Sequence, residues 1–186
     1  MNELERLTTD PSRVNPLQAI ICDVDGTLTD GCLFIGDDAE EFKCFDVRDG
    51  LGIVMALRAG LRVFFLTSRP SNATQRRARE LGVTETVYGR PSKLAAYEDI
   101  LFRHTLTDGQ VCFIGDDLTD LVLIKRVLLG VAVGDAHEEL CKAADLVCER
   151  PGGRGAVREV VELILKVRGD WERIVKEMDP SFAGQL

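Results

Sequence analysis

The chain has 186 residues, 45% apolar and 29% charged, a balance that excludes a disordered chain and suits one compact fold spanning 1–186. With 23 basic against 31 acidic residues the net charge is −8, which excludes general affinity for nucleic acid. No apolar run approaches the roughly 18 to 20 residues that span a bilayer, and the N-terminal stretch lacks a basic segment followed by an apolar one, so a cytoplasmic protein without a membrane partner is expected.

Apolar runs of β type recur along the chain: AIIC at 19–22, RVFFLT at 62–67, a short TVY at 86–88, VCFI at 111–114, VAV at 131–133 and LVC at 146–148. They are continuously apolar rather than alternating, as strands covered on both faces must be. Between them, helical spacing marks 50–59, stopping at Gly60, then 71–81, stopping at Gly82, and 92–103 after Pro91. Residues 156–165 place Val157, Val160, Val161, Ile164 and Leu165 on one helical face, and a short helix through Trp171 and Ile174 to Met178 follows. Strand and helix in alternation define an α/β fold, a doubly wound, mainly parallel sheet. One stretch breaks the pattern: 32–45, CLFIGDDAEEFKCF, reads as a small β-hairpin around Gly36-Asp37-Asp38 that exposes Leu33, Phe34, Phe42 and Phe45. Residues 179–186 read as a loose tail. The six cysteines form no CxxC pair and no Cys/His metal spacing, and Cys22, Cys112 and Cys148 fall in strand runs as small hydrophobes.

Ligands of open α/β sheets bind beyond the carboxyl ends of the strands. There the chain places Asp23-Val24-Asp25-Gly26-Thr27, then Thr67-Ser68-Arg69, then Lys93, then Gly115-Asp116-Asp117 with Asp120 following. Any one acidic residue at such a point is an ordinary helix cap. Four coincident strand ends point instead to a site. Asp23, Asp25 and Asp116 crowd carboxylates together, which calls for a hard divalent cation, and Mg2+ suits a site of few carboxylates and a phosphate oxygen. A carboxylate nucleophile then divides phosphoryl transfer into two easier steps, and Lys93 offsets anion repulsion.

In order and spacing, DVDGT at 23–27, Thr67, Lys93 and GDDLTD at 115–120 resemble the four motifs of the haloacid dehalogenase superfamily of phosphatases. The resemblance implies that Asp23 attacks phosphorus and that Asp25 protonates the leaving oxygen and then activates water. It implies magnesium held by the Asp23 and Asp116 carboxylates and the Asp25 backbone carbonyl, with Thr67 and Lys93 on phosphoryl oxygens and Asp117 and Asp120 in support. FKCFDVRDGLGI at 42–53, DAHEEL at 135–140 and PGGRGAVREV at 151–160 narrow it to a subgroup without a cap domain. That subgroup implies a sugar-acid phosphate, 3-deoxy-D-manno-octulosonate 8-phosphate, as substrate, and a homotetramer in which a hairpin covers a neighbour's site. Ser68 departs from the glycine usual after the threonine of the second motif, and Arg90-Pro91-Ser92 is less polar than the usual lead-in to Lys93.

A carboxylated sugar needs cationic contacts, for which Ser68, Arg69, Lys43, Arg48 and Arg154 are the candidate substrate-binding residues, Arg69 the best placed. Arg154 serves equally as a cap of the last helical region or a partner of the acidic surface, and Arg48 and Asp49 shape the turn into the adjacent helix. Neither His104 nor His137 is assigned to catalysis. A phosphatase for a nine-carbon sugar acid, a receiver-like phospho-acceptor domain and a scaffold are the competing readings.

Overall fold

A computed structural model describes residues 11–37, 40–89 and 92–179. Six strands form one parallel sheet: β1 (Ala19–Cys22), β4 (Arg62–Thr67), β5 (Glu85–Tyr88), β6 (Val111–Gly115), β7 (Leu129–Ala132) and β8 (Leu146–Val147), in the order β5-β4-β1-β6-β7-β8. All four residues of β1 are buried, because the strand is flanked by β4 (Ala19 opposite Arg62) and β6 (Ala19 opposite Val111) and covered on both faces. The period of two then splits the core. Ile20, Cys22, Val63, Phe65, Cys112 and Ile114 pack on one face, and Ala19, Ile21, Phe64, Leu66 and Phe113 on the other. The chain winds outward from β1 in both directions, to β4 and to β6, so a crevice opens beyond the carboxyl end of β1.

Seven α-helices are described: α1 (Val47–Arg58), α2 (Asn72–Leu81), α3 (Lys93–His104), α4 (Leu121–Ile124), α5 (Glu138–Ala143), α6 (Ala156–Val167) and α7 (Trp171–Met178). The α1 helix starts earlier than its apolar spacing indicates, because Asp46 caps it by accepting from Arg48 N at 2.7 Å. Serines cap the next two, Ser71 taking Thr74 N and Ser92 taking Ala95 N. Gly82 ends α2 in the left-handed region at φ 73°. Pro91 and Arg90 lie outside the described residues. The short α4 and α5 leave no mark in the sequence, since four and six residues carry too little periodicity to register.

Between β1 and α1 stands only the hairpin: β2 (Phe34–Ile35) pairs antiparallel with β3 (Glu41–Phe42), Phe34 opposite Phe42 and Ile35 opposite Glu41. Among the described residues no cap domain intervenes. The strands are shorter than the 32–45 segment, and Asp38 of the expected turn is outside the described residues. One expectation is corrected: Phe45 is not exposed but packs against the core, whereas Ile35 joins Phe34 and Phe42 on the surface. Past Phe42 the chain turns inward toward α1, which accounts for the burial of Phe45. The 179–186 tail is described only to Asp179.

Asp49 fastens α1 to α6. Its carboxylate is buried and accepts from Gly155 N (3.0 Å) and Arg158 N (2.8 Å), capping the first turn of a helix more than a hundred positions away. Asp49→Ala leaves both amides without partners and is expected to cost about 2–3 kcal/mol of unfolding free energy in a denaturant titration. A loss below about 0.5 kcal/mol would mean that these bonds contribute nothing net.

Candidate active site

Asp23 follows β1 directly, and its N–H continues the ladder to Ile114 O at 2.9 Å, which fixes its position at the sheet's carboxyl edge. Its Oδ1 accepts from Val24 N (2.7 Å) and its Oδ2 from Lys93 Nζ (2.7 Å). The chain then folds into a tight turn in which Val24 O accepts from the amides of Thr27, Leu28 and Thr29. Gly26 takes φ +89°, and a Cβ there would lie 2.0 Å from Asp116 Oδ2. Glycine is required at this point for both reasons: the backbone conformation and the close approach of the Asp116 carboxylate.

Lys93 is the first residue of α3, where a cation opposes the helix dipole. It is held there by Asp23 at 2.7 Å and by Asp120 Oδ1 at 2.6 Å. Burial alone would lower its pKa, but the two carboxylates override burial and raise it, keeping the ammonium charged. Asp120 is fully buried, and its Oδ2 accepts from the amides of Asp116 (3.1 Å) and Asp117 (3.5 Å). That fold-back depends on Gly115, since a Cβ there would meet Asp120 Oδ2 at 2.4 Å. Asp117 is exposed and caps the turn at Leu118–Asp120 through Leu118 N at 2.7 Å.

Asp25 lies between two other groups. Its Oδ1 is 2.5 Å from Lys43 Nζ and its Oδ2 accepts from Thr67 Oγ1 at 3.4 Å. Thr67 ends β4, and its hydroxyl accepts Arg69 N at 3.1 Å, closing a turn with Ser68 half-buried at its centre. The hairpin supplies Lys43 and also Glu41, which accepts from Arg69 Nε (2.9 Å) and Nη2 (2.7 Å). The hairpin therefore touches the site of its own chain. The motif residues Asp23, Asp25, Thr67, Lys93, Asp116 and Asp120 thus converge, with Lys43 and Arg69 at the rim.

Arg48 and Arg154 are not brought to this cluster. Arg48 pairs with Asp46 at 2.6 Å and donates to Arg154 O, while Arg154 lies 3.5 Å from Asp30. Arg48 also lines a separate concavity of about 1040 Å³ between α1, β8 and α6 that contains none of the converging residues. Three residues that shape the site are not legible as such in the sequence. Glu41, which orients Arg69, gave no signal beyond an acidic residue in a hairpin. Gly152 and Gly153 stand out in the sequence only as part of the PGGRGAVREV run, but they press the 151–155 loop onto the Asp23 turn. A Cβ on Gly152 would lie 1.7 Å from Gly26 O, and Gly153 N donates to Thr27 O at 2.9 Å. Adjacent glycines beside a strand-end motif were the available clue.

Carboxylate oxygens of Asp23, Asp116 and Asp120 lie within 4.8 Å of one another. Burial and mutual repulsion push Asp23 up to about 6 and Asp116 up to about 8. Lys93 is one cation among three anions, so the donor set fits a hard divalent ion that binds oxygen. The Asp120 oxygens already accept from Lys93 and two amides, which leaves Asp116 as the carboxylate with most capacity to bind such an ion.

Carboxylates, a threonine and a lysine gathered at the switch point of a parallel α/β sheet fit the class of hydrolases built on that fold with a carboxylate-rich site. Residues 85–159 match the haloacid dehalogenase-like hydrolase family. The 3-deoxy-D-manno-octulosonate 8-phosphate phosphatase of Escherichia coli K12 is 40% identical over 85% of this chain and 84% of its own length. The crystal structure of the enzyme of that name from Yersinia pestis is similar, with a TM-score of 0.84 and 41% identity over 86% of each chain. So is that from Moraxella catarrhalis, solved in complex with magnesium, phosphate and a KDO molecule, with a TM-score of 0.88 and 31% identity over 96% of this chain and 99% of that one. The chain belongs to the haloacid dehalogenase-like hydrolase family.

The raised carboxylates make a thermodynamic prediction. Between the ordinary value of 3.8 and the folded values of about 6 and about 8, the folded protein binds more protons than the unfolded chain. Its stability without divalent cations therefore falls as pH rises through that window. Thermal melts in EDTA should show Tm declining from pH 4.5 toward about 8, and magnesium should offset the decline. A Tm in EDTA that rises steadily to pH 8 would contradict the crowding of these carboxylates.

Proposed function

We propose that this protein is a magnesium-dependent phosphatase that hydrolyses 3-deoxy-D-manno-octulosonate 8-phosphate to the free sugar acid and inorganic phosphate, a step toward lipopolysaccharide. The observation that carries the chemistry is the placement of Asp23 on the carboxyl edge of the central strand, 2.7 Å from Lys93, with Asp25 two residues beyond. The substrate class follows from the similarity to enzymes of that name and from a rim that offers Lys43 and Arg69.

In this reading an Asp23 oxygen forms a bond to phosphorus while the ester bond to the sugar oxygen breaks, giving a phospho-aspartate. Asp25 donates a proton to the departing sugar oxygen, then takes one from the water that attacks phosphorus and releases phosphate, regenerating the Asp23 carboxylate. Lys93 and Thr67 hold phosphoryl oxygens, and Lys93 offsets the meeting of two anions. Asp120 is a positioning residue, locking Lys93 against Asp23 through its own buried hydrogen bonds. Asp23, Asp116 and the Asp25 backbone carbonyl would hold Mg2+, and the ion would supply positive charge beside the phosphoryl group. Arg69, released from Glu41, grips the sugar carboxylate through two parallel hydrogen bonds.

The working unit is a cytoplasmic homotetramer. The hairpin exposes Phe34 (59%), Ile35 (69%) and Phe42 (59%), apolar surface on a two-stranded element that is marginal by itself. Free cysteines suit a reducing compartment, and no helix among the described residues is long and apolar enough to cross a membrane. Sedimentation equilibrium should return the mass of four chains for the wild type and a smaller assembly for Phe34→Ser with Phe42→Ser. A monomeric wild type would remove the tetramer.

Steady-state kinetics over a panel of sugar-acid phosphates should give the highest kcat/KM for the eight-carbon substrate, lost in EDTA and restored by magnesium. Asp23→Asn should lower it by at least about 10⁴-fold with the fold intact. A preference for a nine-carbon acid would redirect the substrate assignment, and turnover surviving in Asp23→Asn would overturn the mechanism.

A further inference from the structure

The turn that follows β7 has no part in the chemistry assigned above, yet it stands between Asp116 and the loop that presses on the Asp23 turn. Val133 N donates to Gly115 O at 3.1 Å and His137 N to Asp116 O at 2.7 Å, so residues 133–137 run along the end of β6 and hold the Asp116 backbone. On the other side Gly134 N donates to Arg150 O at 2.9 Å, and a Cβ on Gly134 would lie 2.8 Å from Cys148 O. Asp135 adds a side-chain link, its Oδ1 accepting from Gly152 N at 2.8 Å. The amides of the 149–153 loop are thus taken by several partners. Glu159 accepts those of Glu149 (2.9 Å) and Arg150 (3.0 Å), Asp135 that of Gly152, and Thr27 O that of Gly153 at 2.9 Å. Glu159 fixes where the loop begins, and Asp135 fixes its bend. Gly152, at the bend, rests on the peptide next to Asp25, since a Cβ there would lie 1.7 Å from Gly26 O and 2.7 Å from Gly26 C. Thr27 Oγ1 then donates to Asp116 Oδ1 at 3.4 Å. The contacts close a ring that runs from Asp116 through the 133–137 turn to Gly152, on to Gly26 and Thr27, and back to Asp116.

We infer that Asp135 is a positioning residue for the metal-binding end of the active site, acting through Gly152 on the placement of the Asp25 carbonyl against the Asp116 carboxylate. The inference rests on the reading of Asp23, Asp25 and Asp116 as the magnesium donors. Asp135 is exposed, and among the described residues it makes no ion pair, so its engaged oxygen, and not its charge, carries the role. Without that acceptor the amide of Gly152 loses its partner. The bend of the loop is then free to lift from Gly26, and the 25–27 turn gains freedom relative to Asp116. Magnesium, which demands near-ideal octahedral geometry at short bonds, is sensitive to such freedom in its donors. The groups that hold the phosphoryl oxygens and the sugar carboxylate stand apart from the ring. Thr67 and Arg69 come from the end of β4 and Lys93 from the start of α3, across β1 from β6 and β7. Loss of the Asp135 contact therefore weakens the metal site and leaves the substrate contacts in place.

The test is a calorimetric titration of Mg2+ into the substrate-free protein, set beside steady-state kinetics, for the wild type, Asp135→Ala and Asp135→Asn. Asp135→Ala should bind Mg2+ roughly 10-fold more weakly and need a proportionally higher Mg2+ concentration for half-maximal turnover. Its KM for the sugar-acid phosphate at saturating Mg2+ should stay at the wild-type value. Asp135→Asn should follow the wild type in both readouts, because its amide oxygen accepts the same hydrogen bond. Removal of one negative charge would weaken the two variants alike, so an asparagine variant as impaired as the alanine variant would overturn the assignment. Wild-type Mg2+ affinity in Asp135→Ala, or an effect confined to KM, would overturn it as well. An Asp135→Ala chain that fails to fold by circular dichroism would make Asp135 a residue of the fold and not of the site. A wild type that binds no Mg2+ would overturn the magnesium reading and this inference with it. A wild type that binds Mg2+ without turning over the sugar-acid phosphate would count against the substrate assignment alone and leave the binding comparison standing.

Discussion

One buried cation organises this site. Lys93 is fixed between Asp23 and Asp120, and each of those carboxylates is tied in turn to backbone amides, Asp23 to Val24 and Asp120 to Asp116 and Asp117. Three strand-end segments that are far apart in sequence are thereby held in register by a single ammonium group. Burying a charge is costly unless it is paired and hydrogen-bonded, and here every partner is itself satisfied. The same arrangement leaves a residual problem, since Asp116 adds a further negative charge that Lys93 does not neutralise. The requirement for a divalent cation grows out of that imbalance.

The second constraint is steric. The site is assembled by backbones that approach too closely for any side chain, at Gly26 against Asp116, Gly115 against Asp120 and Gly152 against Gly26. The last of these carries the fold's C-terminal half onto the loop of β1, and Asp49 completes the join from α1 to the start of α6. Loops at the carboxyl edge are therefore clamped from below by the sheet and from the side by the 151–155 turn. The hairpin is the exception. It meets the site through charged tips, Lys43 on Asp25 and Glu41 on Arg69, and leaves its apolar side outward.

Much of the fold was legible because the strands are uninterrupted apolar runs in a parallel sheet and the helices are punctuated by Gly60, Gly82 and Pro91. The converging residues were legible for a different reason: reactive side chains recur at the carboxyl ends of β1, β4 and β6, at Asp23, Thr67 and Asp116. What could not be read was three-dimensional partnership. The place of Arg69 after the second motif favours it in the sequence, but nothing there shows that the hairpin orients it, or that Arg48 and Arg154 pair with Asp46 and Asp30 away from the cluster. Charge placed on a loop has no address until the loop is folded. Likewise Asp49 looked like part of a turn because its partners, Gly155 and Arg158, are remote in sequence. Phe45 looked exposed because a hairpin pattern does not say where its second leg dives into the core.

The central claim is that Asp23 carries the phosphoryl group. The most direct measurement is acid-quenched mass spectrometry of an Asp25→Asn variant mixed with magnesium and an aryl phosphate whose leaving group needs no proton, since the variant loses both protonation of the leaving oxygen and activation of the water that would clear the intermediate. The account predicts one phosphoryl group on the peptide containing Asp23, absent when Asp23 is also changed to Asn. A rapid release of phosphate with no phosphorylated peptide, or a phosphoryl group on any other residue, would contradict it.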